Sequence, residues 1–493
     1  MVASDFNHLG KMIDSSCHMF QSDIAVSNYH DRWTYGDLLY RSNVIFEELS
    51  EIDFLENETI ICTIDNEGID IAIFMAIWRR GCVAVPIHKN ASQRTYDRIL
   101  ENTTARYLLS PPDRKLKFKV SSDECNGAYL LKTTHKIFIT DEDLEGAALI
   151  VYTSGTTGEP KGVIQTHTTY LGKLRALASV IKPNPKMTTL QYLQLSFSFG
   201  QWTTFMTLCL GGHVMLKSKF DSSLFLQDVK GCDHIDWCPL VPSMLRLFLS
   251  NNNPENYHQE VIQYILVGGE IMPKLLGERI LSLWKTTSII DVYGLTESNS
   301  GDFIVKAEQY DRLKGTIGYP TPGVKFRITS NGKEVRGGVT GELELATEYR
   351  MKGYLRRQDL TEEIMNGGYM KTGDMGWLDT HGCVHLIGRK KILINVGGRK
   401  VSPLEVEEVY MKHDSINICL AGAIDDDLLG ENIGLLIIPK RNETLTIDQL
   451  RQFGISILDH YKVPSSFKFV TELPVGKTGK ADRSLIKDIF KIK

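Results

Sequence analysis

The stretch that decides the fold runs Ile150-Val151-Tyr152-Thr153-Ser154-Gly155-Thr156-Thr157-Gly158-Glu159-Pro160-Lys161-Gly162. An apolar, partly β-branched run enters a loop that crowds hydroxyls, glycines and one lysine into a few residues. Glycine lets backbone N–H groups turn towards an anion without a Cβ in the way, and Ser/Thr hydroxyls and a lysine ammonium add further donors. That set of donors suits a polyphosphate. The Walker spacing Gly-x-x-x-x-Gly-Lys-Ser/Thr is not met, so the phosphate site is of another design. A bland Gly/Thr-rich surface loop is the competing reading, and the density of donors argues against it.

Outward from this loop, short β-branched runs at Thr59–Ile64, Ala147–Thr153, His213–Leu216, Tyr264–Val267 and Ser288–Val292 alternate with helical stretches such as Ser243–Ser250 after Pro242. That alternation predicts α/β architecture. After Lys314 the texture turns to glycines and short strands, at Lys325–Thr329, Gly341–Ala346 and Cys383–Ile387, which predicts a small β-rich subdomain. Beyond Gly388-Arg389-Lys390-Lys391 comes a compact α+β pattern. Its first helix is expected to start with Ser402 as cap, Pro403 in the first turn and Glu405 completing a capping box, and Thr446 with Gln449 opens another. The expected organisation is a large α/β body of several subdomains, residues 1–388, and a small α+β domain, residues 389–493.

Composition narrows the function classes. A chain of 493 residues exceeds the roughly 250–300 that one hydrophobic core serves, so several cores are expected. Hydrophobic residues at 42% and charged residues at 24% exclude a disordered, collagenous or disulfide-scaffold chain. A net charge of −4 gives no electrostatic footprint for nucleic acid or an anionic membrane, so neither is expected as a partner. The strongest apolar run, Ile71–Trp78, is too short to span a bilayer and reads as a buried helix or strand. Met1–Lys11 lacks the pattern of a secretory signal, and a cytoplasmic location is expected. The nine cysteines are scattered without a Cys-x-x-Cys pair, as in reduced intracellular proteins. Cys232, His234 and Cys238 are close together but read as core and turn residues, since no second ligand pair accompanies them.

Three further motifs follow the phosphate loop: Tyr293-Gly294-Leu295-Thr296-Glu297, Tyr369-Met370-Lys371-Thr372-Gly373-Asp374 and Pro474-Val475-Gly476-Lys477-Thr478-Gly479-Lys480. In order and spacing, from Trp33-Thr34-Tyr35 to Lys480, the chain resembles the adenylate-forming superfamily of acyl-CoA synthetases, peptide-synthetase adenylation domains and luciferases. The resemblance implies that Thr153, Ser154, Gly155, Thr156, Thr157, Gly158 and Lys161 hold phosphates. It places Glu297 on Mg²⁺, an ion that takes one or two carboxylates beside phosphate oxygens, and Thr296 near the α-phosphate. It puts Tyr293 at the nucleotide, Asp374 and Arg389 at the ribose, and Gly268-Gly269-Glu270 beside the adenine. It makes Lys391 the hinge of a mobile small domain and Gly397-Gly398-Arg399-Lys400 the hairpin that rotation brings to the site. Two lysines near the end follow a glycine; counting from Leu473-Pro474 selects Lys480 over Lys477 as the catalytic cation that stabilises charge during attack. Alone, Thr372-Gly373-Asp374 is an ordinary turn, Glu297 a solvated loop residue and 388–391 a basic linker.

The family pattern breaks in Leu195-Ser196-Phe197-Ser198-Phe199-Gly200-Gln201-Trp202, which resembles the acid-binding helix of adenylation domains. Enzymes of that kind that take α-amino acids usually carry aspartate where this chain has Ser198, and a hydroxyl does not neutralise a buried ammonium. The usual acyl-CoA synthetase histidine is not evident either. Phe199, Trp202, Ile290 and Val292 are expected to line a mainly apolar pocket together with Ser198, with plain core packing as the competing reading. The implied activity is ATP-dependent activation of a carboxylic acid as acyl-AMP, with release of pyrophosphate. Transfer to a thiol follows, either CoA or the phosphopantetheine arm of a separate carrier protein. The chain ends soon after Lys480, so the thiol is expected from outside. The alternatives are a stand-alone amino-acid adenylation enzyme loading a carrier protein and a non-catalytic nucleotide-binding homologue; no residue supports luciferase-type oxygen chemistry.

Overall fold

The computed structural model describes residues 6–120, 129–135, 142–154, 160–251, 261–440, 445–474 and 481–491. Within them the strands form four sheets. In the first, Thr59–Ile64 lies between Val83–His88 and Tyr107–Leu109, all parallel, and Val83–His88 continues in parallel to Ala147–Ser154. Antiparallel Pro160–Thr166 then pairs back along Ala147–Ser154. In the second, Ile24–Ser27, His213–Leu216, Thr188–Gln191, Ile235–Leu240, Ile262–Gly268 and Ser288–Tyr293 run parallel, and Phe303–Val305 adds antiparallel. Parallel sheets are covered on both faces, which is why Thr59–Ile64 and Ile235–Leu240 are buried at every residue.

The apolar run Ile71–Trp78 resolves as helix, Gly68–Arg79, buried from Gly68 to Trp78. It meets the helix Ser198–Cys209 through Phe74 and Trp78 on Phe205, ring centroids 6.1 and 5.5 Å apart. The largest core draws side chains from these helices and from both parallel sheets. Asn66, at the turn into the first helix, ties the sheets together. Its Nδ2 donates to Lys217 O at 3.0 Å and Leu193 O at 3.2 Å, and its Oδ1 accepts from Leu195 N–H at 2.9 Å. That anchors the turn from which the helix Ser198–Cys209 departs.

The β-rich part is an antiparallel sheet built on Val324–Ser330, Gly341–Thr347, Tyr369–Leu378 and Val384–Arg389, with Asp374 directly opposite Arg389. The small C-terminal domain centres on the hairpin Ile416–Asp426 with Gly430–Pro439, flanked by Ile394–Val396 and Ser466–Phe469, and has its own core. Gly397 and Gly398, with φ of 55° and 86°, form the tight turn between Ile394–Val396 and Arg399–Val401, a geometry glycine enters freely. Arg279 of the helix Lys274–Leu283 reaches from the body to Asn417, donating to its backbone O at 2.8 Å and its Oδ1 at 3.0 Å.

Two helix starts differ from each other. Thr446 and Gln449 form the reciprocal box expected of them. Ser402 caps the helix Pro403–Tyr410 by accepting from Glu405 N–H at 3.4 Å, but the return bond from Glu405 is replaced. The Glu405 carboxylate pairs instead with Lys462 at 2.7 Å, a stronger partner than a neutral N–H. Cys238 lies in the second core and His234 sits beside Asp236 at 3.5 Å; among the described residues no group of three or more metal-ligating side chains is assembled. No helix among them is long and apolar enough to cross a membrane.

Candidate active site

The strand Ser288–Tyr293 delivers Tyr293 to the edge of the β-rich sheet. Its hydroxyl donates to Asp374 Oδ2 at 2.7 Å, while Arg389 Nε lies 3.3 Å from Asp374 Oδ1. The cross-strand register that faces Asp374 with Arg389 makes this pair local to the sheet, whereas Tyr293 arrives from another one. Thr372 Oγ1 accepts from Asp374 N–H at 3.0 Å and so fixes the backbone below the carboxylate. Burial pushes the Asp374 carboxyl above its ordinary pKa, and the Arg389 guanidinium and Tyr293 hydroxyl pull it back. Among the described residues each carboxylate oxygen has one partner, which leaves a lone-pair site on each of the kind a vicinal diol uses.

Glu297 is held from a different direction. Tyr354, in the short strand Gly353–Tyr354 that pairs with Pro160–Thr166, donates its hydroxyl to Glu297 Oε1 at 2.8 Å. Burial and the Glu297 charge raise the Tyr354 phenol far above its usual value, so it stays a donor. The Lys161 ammonium sits 5.1 Å over the Tyr354 ring, a cation–π contact on the same side chain that holds the Glu297 carboxylate. Arg389 is near enough to act electrostatically on both Glu297 and Tyr354, joining the two halves of the site. Ser298, Asn299 and Ser300 are buried while Thr296 and Glu297 remain partly exposed. One partly exposed carboxylate held by a single oxygen fits Mg²⁺, which draws its remaining ligands from phosphates and water.

The helix Ser198–Cys209 joins through Ser198, whose Oγ donates to Thr296 Oγ1 at 3.0 Å, and Thr296 O accepts from Gln165 Nε2 at 3.1 Å. Phe199 packs on the strand Ile262–Gly268 at Gly268, where a Cβ would stand 2.8 Å from the Phe199 ring. Phe199 is half-buried and stacks on Trp202, centroids 5.6 Å apart. Trp202, at 1% exposure, Ile290 and Val292 are members of the main core. These three pack in the main core where the helix Ser198–Cys209 meets the sheet.

Other expected residues fall as follows. Gly269, with φ of 79°, turns the chain into Glu270, whose carboxylate is taken by Ser243 Oγ at 2.5 Å and Arg246 at 3.2 Å. Its side chain is therefore a tie to the helix Pro242–Asn251. Thr153 pairs with Lys161 and Ser154 with Pro160, which sets the two ends of the phosphate loop. Gly155, Thr156, Thr157, Gly158, Lys477 and Lys480 lie outside the described residues. Flanking Lys480, Asp482 N–H donates to Pro474 O at 2.9 Å and Arg483 binds Glu407 at 2.7 Å. Lys391 sits in the turn after Val384–Arg389, where Lys390 N–H donates to Gly373 O at 2.8 Å. Tyr354 was not legible in sequence, where it is one aromatic after a glycine; only its strand pairing reveals it. Asp291, also unforeseen, is a buried carboxyl on Ser288–Tyr293 pushed by burial to about 8.

The profile of the AMP-binding enzyme family matches residues 13–355, and that of the AMP-binding enzyme C-terminal domain matches residues 405–480. A sulfoacetate–CoA ligase of Cupriavidus necator is 26% identical over 470 residues, covering 91% of each chain. A 2-succinylbenzoate–CoA ligase of a Geobacillus species is 30% identical over 344 residues, covering 70% of this chain and 69% of that one. The solved structure of O-succinylbenzoate coenzyme A synthetase from Bacillus subtilis in complex with ATP and magnesium ion superposes with a TM-score of 0.79 at 24% identity, over 96% of this chain and 98% of that one. The chain belongs to the AMP-binding enzyme family.

Proposed function

We propose that this protein is an AMP-forming acid–thiol ligase that joins a carboxylic acid to CoA through an acyl-adenylate. The observation that carries the reading is the single cluster made by residues from distant motifs. Lys161, Tyr354, Glu297, Thr296 and Ser198 are linked on one side, Tyr293, Asp374 and Arg389 on the other. In this reading Asp374 accepts the ribose hydroxyls while Arg389 and Tyr293 hold its carboxylate in place. Lys161 and the donors of residues 153–158 neutralise phosphate. Glu297 would hold Mg²⁺, which offsets the charge of the triphosphate when bound. Thr296, oriented by Gln165 and Ser198, is placed between the acid helix and the nucleotide cluster. The acid's carboxylate attacks the α-phosphorus, pyrophosphate leaves, and Lys480 steadies the charge that builds. Such a displacement depends on positioning and electrostatics more than on covalent chemistry by the protein.

The small domain, residues 389–493, then turns about Lys391 to present the 397–400 hairpin, and the thiolate displaces AMP from the acyl carbon. CoA is favoured as thiol because the relatives described above are named CoA ligases. Ser198 in place of a carboxylate favours an acid without a free α-ammonium. The test incubates the protein with ATP and a panel of acids, following pyrophosphate, and then adds CoA or a phosphopantetheinylated carrier protein. Acyl-CoA and AMP are expected. Thioester on the carrier alone would favour the carrier-loading reading, and pyrophosphate with neither thiol consumed would refute the ligase. Lys480→Ala should abolish adenylation and spare thioester formation from supplied acyl-AMP; equal loss of both halves would refute the two-state assignment.

A further inference from the structure

Between Tyr293 and Asp302 the chain closes a loop on itself. Asp302 N–H donates to Tyr293 O at 2.7 Å and Ser300 N–H to Leu295 O at 2.8 Å. Asn299, Ser300 and Gly301 have φ of 60°, 63° and 64° in succession. Glycine enters that region freely and asparagine tolerates it, so Ser300 is the residue held against its own preference. Closure also needs Gly294, where a Cβ would stand 2.2 Å from Gly301 N. A backbone of this kind persists only where its surroundings over-determine it.

Those surroundings are one face of the unit that follows the phosphate loop. Gln165 holds Thr296 O, Thr169 Oγ1 accepts from Asn299 Nδ2 at 3.2 Å, and Lys173 Nζ pairs with Asp302 Oδ1 at 2.8 Å. Thr169 and Lys173 are four apart on the helix His167–Ile181 and so share a face. The ion pair is dry, its side chains 1% and 0% exposed. Asp302 Oδ2 accepts from Ser298 Oγ and from Leu295 N–H, the latter at 3.4 Å. The Lys173 ammonium also lies 5.4 Å from the Tyr349 ring centroid, and Tyr349 O accepts from Asn299 Nδ2 at 2.6 Å. That ring reaches the helix because position 172 is glycine; a Cβ there would stand 2.7 Å from it.

We propose that Lys173 and Asp302 are positioning residues for adenylation: their buried pair locks the loop in its strained shape and so sets Thr296 and Glu297 against the phosphate loop. The proposal rests on the roles given above to Thr296 and Glu297. The helix carrying Lys173 continues directly from Pro160–Thr166, one wall of the phosphate loop, so the pair ties two parts of the nucleotide site to one frame. The buried members of the loop, Asn299 and Asp302, are tied to the helix His167–Ile181, while Thr296 and Glu297 keep partly exposed side chains that can meet a ligand.

The test compares wild type, Asp302→Asn and the double variant Lys173→Met/Asp302→Leu. Replacing both partners by apolar side chains removes the uncompensated charge that a single deletion would bury. Thermal midpoint, the Mg²⁺ dependence of ATP binding by calorimetry, and single-turnover pyrophosphate release with a saturating acid are measured. The double variant should keep a midpoint near wild type while its Mg²⁺-dependent gain in ATP affinity falls about tenfold and pyrophosphate release falls about 10²-fold, with the acid's KM unchanged. A folded double variant with wild-type Mg²⁺ dependence and release overturns the proposal. If it does not fold, Asp302→Asn, which keeps the side-chain shape, decides by the same measurements. Failure of the ligase reading looks different: wild type would then release no pyrophosphate with any acid, and ATP binding alone would still report on the pair.

Discussion

Replacing Asp374 by alanine gives the sharpest test of the proposed nucleotide site, because the described residues engage one lone-pair site on each oxygen of its carboxylate. One on Oδ2 is taken by the Tyr293 hydroxyl at 2.7 Å and one on Oδ1 is faced by Arg389 Nε at 3.3 Å, leaving one on each oxygen. If those two receive the ribose hydroxyls, each bond to the charged acceptor contributes about 1.5–3 kcal/mol. Wild type should then prefer ATP over 2′-deoxy-ATP by roughly tenfold to 10²-fold in kcat/KM, since 1.4 kcal/mol is a factor of ten. In Asp374→Ala the same comparison should shrink to near unity, because the partner of the missing hydroxyl is gone, while kcat at saturating nucleotide falls less than kcat/KM. This is a double-mutant cycle between enzyme and substrate, so general damage to the site cancels. The assay is pyrophosphate release with each nucleotide, beside a thermal melt. The melt should show a loss of about 1–3 kcal/mol, from leaving the Tyr293 hydroxyl without an acceptor. A variant that keeps the wild-type preference for ATP over 2′-deoxy-ATP would refute the assignment of Asp374 to the ribose.

Tyr354→Phe removes the bond at Glu297 Oε1 and should raise the Mg²⁺ concentration for half-maximal pyrophosphate release about tenfold with little change in thermal midpoint; an unchanged Mg²⁺ midpoint would separate Glu297 from the metal. Ser198→Asp places a carboxylate beside Thr296 and should shift preference about tenfold towards α-amino acids over acids without an ammonium in pyrophosphate exchange. An unaltered ratio would mean that Ser198 does not face the acid. Asp291→Asn tests burial at the end of Ser288–Tyr293. With the folded pKa raised from 3.8 to about 8, the folded protein binds the extra proton in that window, so wild-type stability falls as pH rises through it. The asparagine variant should match wild type near pH 4 and gain on it up to pH 8, by at most about 5 kcal/mol, in urea unfolding. A constant difference across that range would refute the buried acid.

Much of the site was legible because its chemistry is local in sequence. Glycines, hydroxyls and one lysine within 153–162 suggest a phosphate loop from composition alone, and Thr372-Gly373-Asp374 and Thr296-Glu297 become candidates through their order along the chain. The strand Thr59–Ile64 has the bounds expected from sequence, since its largely β-branched run lies between the charged Glu58 and Asp65. Residues whose meaning depends on a distant partner were not legible. Tyr354 and Glu297 are 57 residues apart, and Lys173 and Asp302 are 129 apart. The cap at Ser402 shows the limit in small: the pattern was right for Ser402 and Pro403, but Lys462, 57 residues further than Glu405, claimed the carboxylate.

By itself the sequence determined the α/β class, the β-rich segment, the small terminal domain and the kinds of group available for a nucleotide and an acid. These follow from periodicity, turn chemistry and donor density, which act over a few residues. The tertiary structure alone decided which groups share a site. It paired Glu270 with Ser243 and Arg246, packed Trp202 and Ile290 in the core, and brought Tyr293 from one sheet to Asp374 on another. The reason is physical: burial and pairing belong to side chains that meet only after loop closure, and no local pattern encodes which distant charge will neutralise which.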